Sequence, residues 1–177
     1  WKRVLKSPLM MAVVLVTACQ SAGQYTVLAY AAPYFKNGYG ATPEQTSLMF
    51  AWFGTLALTG NLLLNRYIDR IGAARAVTMS LALMLVSMLA WPLALTLPLL
   101  AAVIFPWAIS GFATNSGQQA RLGALSPRLA PALMALNTSG IYLGDAVGDT
   151  GGGWVLAPGS YPQLTPLGMV WMVAALG

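Results

Sequence analysis

SPLMMAVVLVTACQSAGQYTVLAYAAPYF, residues 7–35, contains no charged side chain. A helix needs about 20 consecutive apolar residues to cross the ~30 Å hydrocarbon core of a bilayer, and this stretch exceeds that length. The pattern then recurs. Residues 45–65 are uncharged, and 76–120 form a second uncharged run about twice as long as one span requires. WPLALTLP (91–98) places two prolines where that long run has to divide. Residues 131–156 carry only two charges, Asp145 and Asp149, and 167–177 carry none.

Polar, turn-rich connections separate these runs: KNGYGATPE (36–44), NRYIDRIGAAR (65–75), RLGALSPR (121–128) and APGSYPQLTP (157–166). The expected spans are therefore about 8–34, 45–64, 76–92, 98–119, 131–156 and 167–177. Within lipid, only helices and closed barrels satisfy every backbone polar group. The runs lack the period-two polarity of barrel strands. The fold expected is an all-α integral membrane bundle of six helices, the last one truncated.

Composition excludes other classes. The chain has 177 residues, of which 58% are hydrophobic and 7% charged; a soluble domain averages about 25% charged residues. The formal charge of +5 invites a nucleic-acid reading, but nine scattered bases are too few for one, so none is expected as a partner. There is no histidine and no Gly-Lys pair, so imidazole catalysis and a P-loop are both missing. No enzyme, metal or cofactor is expected. The lone Cys19 can form no intrachain disulfide and reads as a buried thiol. KRVLKSPLMMAVVLVTAC (2–19) resembles a secretory signal, but the apolar run continues past Cys19 and no soluble domain follows. The chain opens at Trp1 and stops at Gly177 within an apolar run, as a fragment of a longer polypeptide would.

The bases set an orientation. With sides alternating, Lys2, Arg3, Lys6, Arg66, Arg70, Arg75, Arg121 and Arg128 fall on one side and Lys36 alone on the other. The positive-inside rule puts the residue 1 end and the 65–75 loop in the cytoplasm. Trp91, Trp154 and Tyr161 then fall at the outer rim, as an aromatic belt would.

GNLLLNRYIDRIGAAR (60–75) carries a family resemblance. Asp69-Arg70-x-Gly72, followed by Arg75, is similar to the G-x-x-x-D-R-x-G-R-R loop signature of the major facilitator superfamily. Asn65 replaces the leading glycine, and Ala73 or Ala74 replaces one of the paired bases. GQYTVLAYAAPYF (23–35) and QQARLGALSPRLAPALMALNTSGIYLG (118–144) look like the helix 7 and helix 10 to 11 passages of its bacterial drug and sugar efflux members, including arabinose-efflux-like permeases. The resemblance implies the C-terminal six-helix half of a twelve-helix transporter in a bacterial inner membrane. It implies an N-terminal half of the same polypeptide as partner, a small-molecule substrate and the proton gradient as energy source. Arg66, Asp69, Arg70, Gly72 and Arg75 would form a gating loop, with Asp69 near a helix N-terminus or paired with Arg66 or Arg70. A plain topology anchor is the simpler role for that loop.

GIYLGDAVGDTGGGW (140–154) bears on coupling. Gly140, Gly144, Gly148 and Gly152 repeat every four residues, a spacing that lets helix backbones approach closely in a membrane bundle. Asp145 and Asp149 share the neighbouring face. An ionised Asp at mid-membrane costs ~2.5–3.5 kcal/mol, so both should face a water-filled cavity or a partner helix. Two such carboxyls can titrate as a unit and hold a single proton, which suits proton coupling or a cationic substrate. Pairing with an Arg elsewhere, or simple hydration of a cavity wall, would also account for them. Gln20, Gln24 and Tyr25, with Tyr30, could contact substrate or could pack between helices. Asn115, Gln118 and Gln119 read as interfacial, and Trp52 and Trp107 as packing. An importer or uniporter of the same fold, a six-span scaffold or receptor, and a channel are the competing functions.

Overall fold

The computed structural model describes residues 6–156 and 161–177. Lys2 and Arg3, and residues 157–160 of the last connection, lie outside the described residues. The described chain is helical, with no strand: α1 Pro8–Leu28, α2 Ala31–Tyr39, α3 Pro43–Ile71, α4 Ala73–Ala90, α5 Leu97–Val103, α6 Phe105–Leu125, α7 Ala130–Leu156 and α8 Leu164–Leu176.

The helix starts follow local chemistry. Ser7 accepts from the Met10 amide at 3.5 Å, and Pro8 fills the first helical position, where its missing N–H is no loss. Thr42 and Gln45 form a reciprocal capping box, with Thr42 Oγ1 accepting from the Gln45 amide at 3.3 Å and Gln45 Oε1 from the Thr42 amide at 2.9 Å. Gly72 turns α3 into α4 with φ of 86°, a conformation that glycine adopts without strain. α2 continues through Tyr39, so the connection expected over 36–44 shrinks to Gly40–Thr42.

Two expected helices are broken, each just before a proline. α1 ends at Leu28, and Pro33, having no N–H, leaves the Ala29 carbonyl without its helical donor. The helix resumes as α2. α5 and α6 meet at Ile104 with a bend of about 40°. Pro106 takes the donor from the Ala102 carbonyl there. Neighbours satisfy the loosened turn: Ser87 on α4 donates to the Val103 carbonyl at 2.7 Å, and Trp52 Nε1 on α3 donates to that of Ala101 at 3.1 Å. Ser87→Ala should lower the midpoint of thermal unfolding in detergent, by about 1 kcal/mol of stability, because that carbonyl loses its partner inside the bundle.

By length and hydropathy, three described stretches can each cross a bilayer, Pro8–Leu28, Pro43–Ile71 and Ala73–Leu93, and the bent α5–α6 pair makes a fourth if counted as one. α7 is 27 residues long, but its glycines and two aspartates lower its hydropathy, and α8 is short at 13 residues.

Packing follows a simple scheme. α1 lies along α7, α3 along α6, α4 flanks α6, α8 flanks α1, and α4 meets α8. Exchanging the first three helical segments (α1–α2, α3, α4) for the last three (α5–α6, α7, α8) maps each of these pairings onto another of the set or onto itself. Both long pairs are parallel. Val14, Ala18, Ala22 and Thr26 oppose Gly140, Gly144, Gly148 and Gly152 in rising order, and Trp52 and Gly60 oppose Ala101 and Ile109. A chain that reverses at each connection produces this arrangement.

The main core runs along most of the bundle, from Val77 near the Gly72 turn to Trp91 at the far end of α4, and includes Phe53, Met84, Met88, Leu100 and Trp107. A smaller cluster of Val13, Leu122 and Leu133 closes the other end, near the described bases Lys6, Arg121 and Arg128. Trp91 departs from the rim position expected of it. It is buried against Tyr34 and Trp107, because aromatic side chains of α2 and α6 pack around the turn that follows α4. Trp154 is 78% exposed.

Candidate functional site

The α1–α7 seam organises the site. A Cβ on Gly144 or Gly148 would overlap the carbonyl oxygen of Ala18 or Ala22, respectively, and one on Gly152 would lie 2.7 Å from the Tyr30 ring. The four glycines thus set α7 directly on the backbone of α1. One residue past Gly144, rotated by about 100°, Asp145 sits at the rim of the seam. It is half-buried, and its Oδ1 is enclosed with no hydrogen-bond partner. Ser21 of α1 lies against its carboxyl, and Tyr25 stands near both Asp145 and Tyr142.

Asp149, one turn further along, is exposed, so the two carboxyls occupy different environments. A four-residue step turns the helix by about 40° beyond a full revolution, enough to carry Asp149 out of the seam. Its backbone carbonyl accepts from Tyr30 Oη at 2.9 Å, which ties α7 to the break after α1.

Gln20 and Gln24 face elsewhere. Both are buried between α1 and α6, where Gln20 Nε2 donates to Gln24 Oε1 at 2.8 Å and to the Gly111 carbonyl at 3.4 Å. A Cβ on Gly111 would come within 3.2 Å of the Gln24 amide, so the glycine makes room for it. Gln20 Oε1 and Gln24 Nε2 remain unpartnered. Of the α1 candidates, Tyr25 alone shares the Asp145 side.

Gln118 differs from its interfacial reading. It is fully buried, its Nε2 donating to the Val13 carbonyl at 3.3 Å, because α6 continues to Leu125, nearly two turns further than the apolar pattern implied. Asn115 is half-buried and Gln119 exposed. Trp107 is buried against Phe53 and Trp91, whereas Trp52 is partly exposed.

Arg66, Asp69, Arg70 and Arg75 are all exposed around the Gly72 turn. That turn lies at the Val13–Leu122–Leu133 end, while Asp149 lies with Tyr30 towards the other, so the structure does not bring the loop and the aspartates together.

Several participants were missed in the sequence. Thr17 Oγ1 donates to Asn137 Oδ1 at 2.7 Å, bonding α1 to α7 one turn below Ser21, and Tyr142 stands exposed beside the seam. The available signal was the four-residue spacing of Thr17, Ser21 and Tyr25, a second polar stripe on α1 beside that of Gln20 and Gln24.

Chemically, the site offers one desolvated carboxyl oxygen beside a hydroxyl and two phenols, with a second carboxylate open to the surroundings. It can take up and release a proton, or hold a cation. Among the described residues no cluster of metal-binding side chains exists. In comparison with known families, a family model described as Major Facilitator Superfamily matches residues 13–177.

Proposed function

The chain belongs to the major facilitator superfamily of multi-pass membrane transporters, and we propose that it forms the C-terminal six-helix half of a proton-coupled exporter. In this reading α1–α2, α3, α4, α5–α6 and α7 each make one crossing, and α8 supplies the sixth. The internal exchange of three segments for three supports it, since inverted repeats of that kind build transporter halves. The N-terminal half of the same polypeptide would close the substrate site at the interface, and the two would rock between inward- and outward-open states. In this reading the chain sits in a bacterial inner membrane, and the bases around Gly72 and at Arg121 and Arg128 support a cytoplasmic side for that end. Arg66, Asp69, Arg70 and Arg75 would gate the cytoplasmic side around the Gly72 turn.

The observation that carries the proton coupling is the enclosed, unpartnered Oδ1 of Asp145. An ionised Asp in a membrane interior costs ~2.5–3.5 kcal/mol, so this carboxyl favours its neutral form when enclosed and can release its proton once water reaches it. Linking that exposure to the alternation between states couples proton movement to substrate movement. Asp149, already exposed, would share the proton or meet a cationic substrate.

Everted membrane vesicles containing the full-length protein, energised to be acidic inside, test the reading with ethidium and arabinose as probes of a cationic drug and a sugar. Accumulation of either probe that collapses on adding a protonophore is the expected result. Equilibration of a probe without accumulation, indifferent to protonophore, would instead identify a uniporter.

A further inference from the structure

An apolar groove of about 240 Å³ runs between α3 and α4 at the basic end of the bundle. Leu63, Tyr67 and Ile71 form one wall, Met79 and Leu83 the other, and Ala113 of α6 lies in the floor. α3 and α4 touch little away from their shared turn, because both pack chiefly on α6; this keeps the groove open. Its end is unusually charged. Ile71 and Ala76, the last lining residues on each side, adjoin Arg70 and Arg75, and Arg66 stands one turn back on α3. All three bases are exposed, and Asp69 is the only acid on this turn. α4 begins here with no side-chain cap and no acid in its first turn. Its first backbone N–H groups therefore have no partner within the helix and carry its positive dipole end.

We propose that this groove is a binding site for an anionic phospholipid. One acyl chain lies between α3 and α4, and the phosphate rests on Arg70, Arg75 and the amide end of α4. Apolar walls closed by bases at one end match a lipid in both parts of its chemistry, and basic pockets between transmembrane helices on the cytoplasmic side bind such headgroups. The proposal needs only that the chain sits in a membrane, and it stands apart from the proton-coupled reading.

Native mass spectrometry of the full-length protein, offered phosphatidylglycerol and phosphatidylcholine with identical acyl chains, tests it. One phosphatidylglycerol should be retained in preference to phosphatidylcholine. Each Arg near the headgroup contributes about fivefold, so R70Q/R75Q should lower phosphatidylglycerol retention roughly 25-fold and leave phosphatidylcholine unchanged. Met79→Trp, which fills the groove from its exposed wall, should weaken retention of either lipid while the unfolding midpoint stays at the wild-type value. Equal retention of the two lipids by wild type would overturn the proposal. So would phosphatidylglycerol binding that survives either variant, displacement of the lipid by inorganic phosphate alone, or no retained lipid at all, which would mean that protein covers the groove.

Discussion

Gly148→Leu is expected to remove almost all folded protein from the membrane fraction, whereas Gly54→Leu leaves its amount near wild type. At Gly148 the first added carbon already overlaps the Ala22 carbonyl, which belongs to the backbone of α1 and has no rotamer to escape into. α1 and α7 must then separate, and the loss spreads along the seam. The Thr17–Asn137 bond stretches, Tyr30 loses the Asp149 carbonyl, and the close packing at Gly144 opens. Membrane helices associate through such packing and hydrogen bonding, lipid being as apolar as the side chains, so little remains to compensate. The cost should reach about 3 kcal/mol or more, the upper range for overpacked cores. Gly54 is the control, because it is exposed on α3 with nothing near its missing side chain. Fluorescence-detected size exclusion of tagged variants in detergent reads both amounts. Equal recovery of Gly148→Leu and wild type would mean that α1 and α7 do not pack as described.

Asp145→Asn should abolish transport driven by a proton gradient, with protein still present in the membrane. The substitution keeps the size and the hydrogen-bonding capacity of the side chain and removes its titration. The fall in gradient-driven rate should exceed tenfold, while exchange of substrate across vesicles without a gradient continues, since exchange requires no net proton movement. Asp149→Asn should act more weakly, because its side chain is exposed rather than enclosed in the seam. The double variant should resemble Asp145→Asn. Loss of both modes of transport with normal folding would place Asp145 in substrate binding. A gradient response unchanged in Asp145→Asn would remove it from coupling.

Much of the helix placement could be read from charge alone, since uncharged runs in a chain with so few charges leave little choice. The breaks could not. Pro33 and Pro106 interrupt their helices, whereas Pro8 and Pro98 sit at helix starts, and the sequence does not say which role a proline takes until the neighbouring caps are known. The glycine spacing of α7 announced close packing without naming a partner, because the Ala18 and Ala22 carbonyls that fill the space belong to every residue type alike. Gln20 and Gln24 suited a cavity and a helix interface equally well, and only the placement of Gly111 decides where they point. The two aspartates share a helix face in projection, yet a rotation of about 40° at the rim of a seam separates an enclosed oxygen from an exposed one. Asn137 carries no marker in the sequence, since its role comes from Thr17 on the helix opposite.

Proton movement itself gives the most direct test of coupling at Asp145. Full-length protein reconstituted into vesicles loaded with the pH indicator pyranine would be given the probe that accumulates in everted vesicles, without an imposed gradient. Wild type should change the internal pH as the probe crosses, and Asp145→Asn should move the probe with no pH change. A pH change of the same size in Asp145→Asn would contradict the account.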